Sequence, residues 1–427
     1  MRRLYTALLW LAMPLVLAGL LWRGLREREY WRGGWQRFGL GLGELDAGVG
    51  GGRRIWIHAV SMGEVQAAMP LVAGLRERGF SLLLTAATPT GRRRAEHACG
   101  AQAAVRYAPY DLPGALRRVL HAARPSLLIV LETELWPNTL HACARAGVPV
   151  LAASARLSAR TAGRLARWPG LLSAPAVANL QVAAQTAGDA ERFRGLGVPA
   201  ESVRLCGNLK FDSTVEPERA ARGRALRQKF APACTLWVAG STHAGEEDAV
   251  LAAHRAVCAQ RAAVLVLAPR HPQRFAEVAA RLAAEGWRFA RRSEAASAHS
   301  GIADSGIDVL LLDTMGELTD FYAAADLAYV GGSLVAVGGH NLLEPAIEGV
   351  PVVTGPRHSS APEVFAALRA ADAVAVAGSA EALPGLVTGL LADAAARQRL
   401  ATLAAAVLQA NRGSLVTIVD WAARLAG

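Results

Sequence analysis

Lysine is almost missing from this 427-residue chain: of its 46 basic residues only Lys210 and Lys229 are lysines. Acidic residues number 35, so the formal charge is +11 and the isoelectric point lies near 10.2. An arginine bias of this kind follows genome composition, so the charge points to an anionic partner only where it is localised. Cysteine is scarce too. The five, at 99, 143, 206, 234 and 258, form no C-x-x-C pair. Their odd count and wide spacing exclude a disulfide framework and a structural zinc, leaving buried thiols of a reducing compartment. Aromatics are 6% with no basic–aromatic stripe, which disfavours a nucleic-acid binder. There is no G-x-G-x-x-G and no G-x-x-x-x-G-K-[ST], which disfavours a dinucleotide site and a P-loop NTPase. Charged residues are only 19%, against 52% hydrophobic, so an intrinsically disordered chain is excluded.

One long apolar run is present. Residues 4–22 carry no charge, contain Pro14 and follow Arg2 and Arg3. The run is long enough to cross a hydrocarbon core as a helix, with Pro14 as a tolerated kink. Beyond it lie Trp22, Tyr30, Trp31 and Trp35 among Arg23, Arg26, Arg28, Arg32 and Arg37, the composition of an interfacial belt. The expectation is a membrane anchor, spanning or lying on the bilayer, with the body kept on the cytoplasmic side by the larger positive flank and held against anionic lipid. A cleaved signal peptide fits less well, since no A-x-A site precedes the arginines.

From residue 53 the pattern becomes short apolar strands alternating with helices, as in a parallel sheet covered on both faces. Strands are expected at 53–59, 80–85, 104–107, 126–131, 148–152, 179–183 and 203–205. A polar stretch, 211–218, interrupts the pattern. It restarts with strands at 235–239, 264–268, 308–312, 327–330 and 350–354, and ends in a helical tail, 380–426, broken at 411–413. Residues 291–306 are polar and small, the signature of a mobile loop. The fold class is therefore α/β, with an anchor over 1–40, one Rossmann-like domain over 41–215 and a second over 216–427, its last helix free to pack back on the first. Ligands of such folds bind at the carboxyl ends of the strands and across an interdomain cleft.

Seven motifs follow strands. In His58-Ala-Val-Ser-Met-Gly-Glu64, Ser61, Gly63 and Glu64 stand at a strand-to-helix turn; Glu64 reads as a helix-start carboxylate or as a general base. In Thr85-Ala-Ala-Thr-Pro-Thr-Gly91, Thr88 or Thr90 caps the next helix or receives an anionic substrate. In Glu132-Thr-Glu134-Leu-Trp-Pro-Asn138, two carboxylates leave a buried strand together, and the cost of burying them is offset by a hydrogen bond to backbone or by pairing with an arginine such as Arg156. They form no D-x-D or metal-ligand cluster, so no required metal is expected. Gly240-Ser241-Thr-His-Ala-Gly-Glu246 is a glycine turn suited to phosphate. Ala268-Pro-Arg270-His271-Pro supplies a bidentate phosphate partner with a histidine beside it. Asp313-Thr-Met315-Gly316-Glu317-Leu offers backbone groups to a flat base edge. The longest, Gly331-Gly-Ser-Leu-Val-Ala-Val-Gly338-Gly-His340-Asn341-Leu-Leu-Glu344-Pro-Ala, is a glycine loop entering a short helix, with N–H groups for phosphate and Glu344 for ribose hydroxyls.

Taken in order, HAVSMGE, ETELWPN, GNLKFD (207–212, with Lys210), GSTHAGE, APRHP, TMGEL and GGSLVAVGGHNLLEPA resemble the bacterial 3-deoxy-D-manno-octulosonic acid (Kdo) transferases of lipopolysaccharide synthesis, from about residue 25 to the C-terminus. The resemblance implies a metal-independent, inverting glycosyltransferase of the GT-B type, attached to the cytoplasmic face of the inner membrane. Its donor would be CMP-Kdo and its acceptor lipid IVA, the tetraacylated lipid A precursor. By the same resemblance Glu64 is the general base and Glu132 a further important carboxylate, with Glu134 close enough to compete for that role. Arg270 and His271 hold the donor phosphate, Met315 and Gly316 the cytosine, and Glu344 the ribose, with Gly338 and Asn341 in the preceding loop. Ser61, Gly63, Thr88, Ser241 and Lys210 are additional donor or acceptor candidates. Arg53, Arg54 and Arg92 to Arg94 are candidates for the acceptor phosphates. A monomer or weak oligomer is expected. Two alternatives stay open: a same-fold enzyme using a UDP-sugar and a lipid or polyisoprenoid acceptor, and a membrane-tethered scaffold without activity.

Overall fold

The computed structural model describes residues 1–26, 28–43, 45, 53–213, 216–295 and 306–427. The chain divides into two units, one of residues 1–213 and 411–427, the other of residues 214–410. The polar stretches at 211–218 and 291–306 fall partly outside the described residues, at 214–215 and 296–305.

The first unit is built on seven parallel strands: β1 (Arg54–Ala59), β2 (Ser81–Ala86), β3 (Ala104–Tyr107), β4 (Leu127–Leu131), β5 (Val150–Ala155), β6 (Leu180–Ala184) and β7 (Val203–Leu205). Their order is β3-β2-β1-β4-β5-β6-β7. Ile57 of β1 sits between Leu84 of β2 and Ile129 of β4. All of β2, β4 and β5 is buried, which is why these strands read as unbroken apolar runs rather than alternating ones. Apolar layers cover both faces. One joins Leu71, Leu75, Ile57 and Leu84 to Ile418, Val419 and Trp421 of the last helix, Ser414–Ala426, so the C-terminus completes this core. The other joins Trp56, Leu128 and Val150 to Leu116, Val119 and Phe193.

The helices of this unit that matter below are α1 (Arg2–Arg26), α2 (Met62–Glu77), α3 (Pro89–Cys99), α4 (Pro113–Ala123), α5 (Pro137–Arg145) and α6 (Ala159–Arg167). The first turns of α1 rest on the unit. Arg2 and Thr6 hydrogen-bond the Asn138 side chain, and Met13 is buried against Leu112 and Ala115 with Leu9 packed beside it. The rest of the helix surface presents Leu4, Leu8, Leu11, Leu15, Leu21 and Leu25 to solvent. Residues 2–25 are long and apolar enough to cross a membrane, with a mean hydropathy of 2.1.

The second unit holds β8 (Thr235–Thr242), β9 (Ala263–Pro269), β10 (Phe289–Arg291), β11 (Val309–Leu311), β12 (Leu327–Val330), β13 (Val352–Thr354) and β14 (Ala375–Val376), all parallel, in the order β10-β11-β9-β8-β12-β13-β14. Two buried clusters, around Trp237 and Tyr329 and around Phe230 and Phe321, fill its two faces. The sequence pattern does not reveal the helix Arg219–Phe230 or the edge strands β10 and β14. That helix buries only Gly223 and Phe230 and is fixed by remote acids: Arg219 to Glu348, Arg222 to Asp320 and Arg227 to Asp326.

Candidate active site

In a doubly wound sheet the chain reverses direction at one point, and the strand ends there open a crevice. In the first unit that point lies between β1 and β4, and Glu64 and Glu132 follow those two strands. Ser61 is the N-cap of α2 and accepts from the Glu64 N–H at 3.3 Å. The Glu64 carboxylate in turn accepts from the Val60 N–H at 2.7 Å and the Ser61 hydroxyl at 3.1 Å. This is a capping box shifted by one residue, so Glu64 is held in a single orientation. Burial, aided by Glu134 and Glu132, raises its carboxyl to about 7. The helix-start carboxylate is thus also a carboxyl raised toward neutrality.

Glu132 adopts a left-handed φ of 53°. An L residue there is under strain, and such strain persists where surrounding structure dictates it. Its N–H donates to the Ala153 carbonyl and its carbonyl accepts from the Arg156 N–H, which locks the turn. The carboxylate pairs with Lys210 at 2.7 Å. One of the chain's two lysines thus serves as an ion-pair partner of this carboxylate. Ser154, the bulged residue of β5, is the next left-handed position, φ 52°. Its hydroxyl donates to the Asn208 side chain and accepts from the Leu209 N–H, which fixes the segment that carries Lys210. Glu134 accepts from the Trp136 indole, and burial raises its carboxyl. Exchanging Lys210 for methionine should lower activity, while the same exchange on a Glu132→Gln background should add little. Strictly additive losses in that double-mutant cycle, measured on initial rates, would dissolve the pairing as a functional one.

Other first-unit candidates are already engaged. Thr88 caps α3 by accepting from the Gly91 N–H. Gly63 is exposed on the first turn of α2. Arg53 donates to the Ala426 carbonyl and Arg54 to those of Ala123 and Leu45. Arg92 binds Glu96 and Arg93 binds Glu29, while Arg94 binds Gln66. All five arginines thus also have partners within the first unit.

In the second unit the reversal lies between β8 and β12. Ser241 is the bulge of β8, with φ 55°. His243, two residues on, meets His340 of the glycine loop with a 2.8 Å contact between their Nε2 atoms. The His271 ring stands edge-on to His243 at 5.2 Å. Arg270 hangs from the Thr242 carbonyl by its N–H at 3.0 Å. Burial and the nearby Arg270 push the His340 imidazole down to about 4, so it is neutral at pH 7. The ends of β8, β9 and β12 thus bring Arg270, His271, His243 and His340 together, and β11, beside β9, ends at the Met315 turn.

The glycine loop differs from expectation in one respect. Its first N–H groups are not open to phosphate, because the fully buried Glu246 carboxylate accepts from those of Gly332, Ser333 and Leu334 at 2.7–3.0 Å. The N–H groups of Gly338, Gly339 and His340 turn back to the Gly332 and Gly331 carbonyls. Gly338, at φ 104°, allows this fold: a Cβ there would lie 2.3 Å from the Ser359 hydroxyl. Asn341 donates from its amide to Glu344 at 3.3 Å and accepts from the Leu343 N–H. Met315 is 63% exposed beside Gly316, φ 91°. Their turn is pinned by Asp313, which accepts from Ser293, and by Glu317, which pairs with Arg292. Sequence reasoning missed Glu246 and the His243–His340 pair; the carboxylate three residues beyond His243 was the available signal. Among the described residues no group of three or more His, Cys, Asp or Glu is arranged to hold a metal ion.

A family model described as 3-deoxy-D-manno-octulosonic-acid transferase (kdotransferase) matches residues 33–213. The 3-deoxy-D-manno-octulosonic acid transferase of Haemophilus influenzae is 37% identical over 423 residues, covering 98% of this chain and 97% of that one. Its namesake from Bordetella pertussis is 39% identical over 426 residues, covering 95% and 97%. Among solved structures, a glycosyltransferase of Rickettsia africae superposes with a TM-score of 0.57 at 9% identity, covering 88% of this chain and 99% of that one. That likeness speaks for the two-domain GT-B fold alone. With more than a third of its residues shared over nearly the full length of both relatives, the chain belongs to the 3-deoxy-D-manno-octulosonic acid (Kdo) transferases and is a glycosyltransferase.

Proposed function

We propose that the protein moves Kdo from CMP-Kdo to the 6′-hydroxyl of lipid IVA in a single inverting displacement that needs no metal. The observation that carries this reading is Glu64, a carboxylate fixed by its cap and raised to about 7. Such a group is in part ionised near pH 7 and basic enough to take a proton. In the reaction Glu64 accepts the proton of the acceptor hydroxyl, and the hydroxyl oxygen bonds to the Kdo anomeric carbon. The anomeric C–O bond breaks with its electron pair going to the phosphate oxygen, and CMP departs. Arg270 and His271 meet the charge that develops on that oxygen, the task a metal performs in other transferases. Glu344, oriented by Asn341, binds the ribose, and Met315 with Gly316 receives the cytosine. Lys210 holds Glu132 beside Glu64 and keeps the pair from repelling an anionic sugar.

The anchor reading is that α1 lies along the cytoplasmic surface of the inner membrane. The contacts of Arg2, Thr6 and Met13 with the unit support this reading. The leucines of α1 remain for the lipid.

Two measurements test the donor. CMP should raise the melting temperature and UDP should not; protection by UDP alone favours the UDP-sugar alternative. Glu344→Ala should raise the CMP Kd about 10- to 100-fold by calorimetry, the loss of charged hydrogen bonds to two hydroxyls. An unchanged Kd removes Glu344 from the ribose.

A further inference from the structure

Between Glu134 and Asp189 the sequence contains no carboxylate and five arginines. Three of them, Arg160, Arg164 and Arg167, lie on α6. At 100° per residue they fall on one stripe, while Ala162 and Leu165 on the opposite side pack against the core. All three are exposed, and none forms an ion pair or hydrogen bond among the described residues. By contrast, Arg53, Arg54, Arg93, Arg219, Arg222 and Arg227 are each tied to a carboxylate or a backbone carbonyl. Trp168, 49% exposed, closes the helix.

The position of α6 gives this stripe a direction. The helix follows β5, and so starts at the carboxyl edge of the first sheet, beside the Glu132 turn. The same edge carries Trp136, 40% exposed, between β4 and α5. It also carries Trp35, 71% exposed, on a one-turn helix that Arg37 ties to the Ala87 carbonyl just beyond β2. The docked start of α1 lies there too, on Asn138 and Leu112. One edge of the unit therefore gathers the apolar helix α1, two separate indoles and the start of α6, whose arginine stripe has no partner among the described residues.

We propose that α6 is a second membrane contact: Arg160, Arg164 and Arg167 dock on the phosphates of an anionic lipid surface, with Trp168 at headgroup depth. The contact turns the carboxyl edge, and Glu64 with it, toward the bilayer in which a lipid acceptor resides. Unpaired arginines gain most from such a surface because no intramolecular ion pair has to break first, and tryptophan prefers the interface for its apolar ring and polar N–H. The proposal rests on the membrane reading of α1, and the experiment separates the two.

The full chain is mixed with nanodiscs of zwitterionic lipid alone or with anionic phosphatidylglycerol, and amide exchange is followed by mass spectrometry. Binding to both kinds of disc reports α1; its absence from both overturns the anchor reading. Protection of residues 158–170 should appear with anionic discs only. The combined variant R160Q/R164Q/R167Q should lose that protection, and its affinity for anionic discs should fall about fivefold per arginine at low salt. Protection that is absent, equal on both lipids, or retained by the variant overturns the α6 contact. The variant should also keep the wild-type rate on a deacylated, water-soluble acceptor. A matching loss there would make the arginines acceptor ligands and overturn the docking role.

Discussion

Glu64→Gln should lower the rate of Kdo transfer by about 10²- to 10⁴-fold, the usual contribution of a general base, and leave CMP affinity within about twofold. The amide keeps the shape of the side chain, and its carbonyl oxygen still accepts from the Val60 N–H, so the start of α2 stays intact. What it loses is the ability to take a proton. Equal losses of CMP binding and of turnover would overturn the assignment. The same carboxyl sets the pH dependence. Since it is raised to about 7, kcat/KM for the wild type should fall as the pH drops below that value, and the residual activity of the variant should lack this limb. Stability should move in the opposite sense. A carboxyl raised in the folded protein holds its proton where the unfolded chain has released it. Its contribution is therefore complete below the ordinary value of 4.5 and is lost as pH rises through about 7. The glutamine variant has no such loss, so its melting temperature relative to wild type should climb between pH 5 and pH 8. A constant difference would mean that Glu64 is not raised.

Glu246→Ala should be the most damaging single change to the second unit, costing about 3–5 kcal/mol in urea unfolding. The carboxylate is fully buried and accepts from five donors: the N–H groups of His243, Gly332, Ser333 and Leu334, and the Tyr329 hydroxyl. Truncation strips all five of their partner in a place that water does not reach. Glutamine restores little, because its amide N–H₂ would face donors rather than acceptors. If the alanine variant does not fold, Glu246→Gln carries the test: it should lose at least about 1.5 kcal/mol and weaken CMP binding, since the carboxylate fastens the glycine loop to the β8 turn. A loss below about 0.5 kcal/mol for either variant would contradict the role. The mechanism also explains the glycines. The N–H groups of Gly332, Ser333 and Leu334 converge on an anion that is part of the protein, and it holds the loop so that His340 reaches His243.

Legibility in the sequence followed the range of the interactions. β4 and β9 were readable because a strand buried on both faces has to be apolar throughout. The Ser61–Glu64 cap was readable because it spans one helical turn. The motifs were placed correctly at strand ends because ligand sites of a doubly wound sheet gather there. The helix Arg219–Phe230 was not readable, since its stability comes from ion pairs to Asp320, Asp326 and Glu348, and no local periodicity encodes a remote acid. The partners of Arg53, Arg54 and Arg93 were not readable for the same reason: a basic residue gives no sign of the distant carbonyl or carboxylate that it will meet.

By itself, then, the sequence determined two parallel α/β domains, the strand ends that bear chemistry, and through its ordered motifs the Kdo transferase family. These depend on hydrophobic periodicity and on contacts within a few residues. Only the tertiary structure decided that Lys210 pairs with Glu132, that Glu246 occupies the first N–H groups of the glycine loop, and that Arg160, Arg164 and Arg167 have no partner among the described residues. Each is the outcome of a pairing between segments far apart in the chain. Burial makes such a pairing strong and exposure makes its absence tolerable, and both are properties of the folded molecule alone.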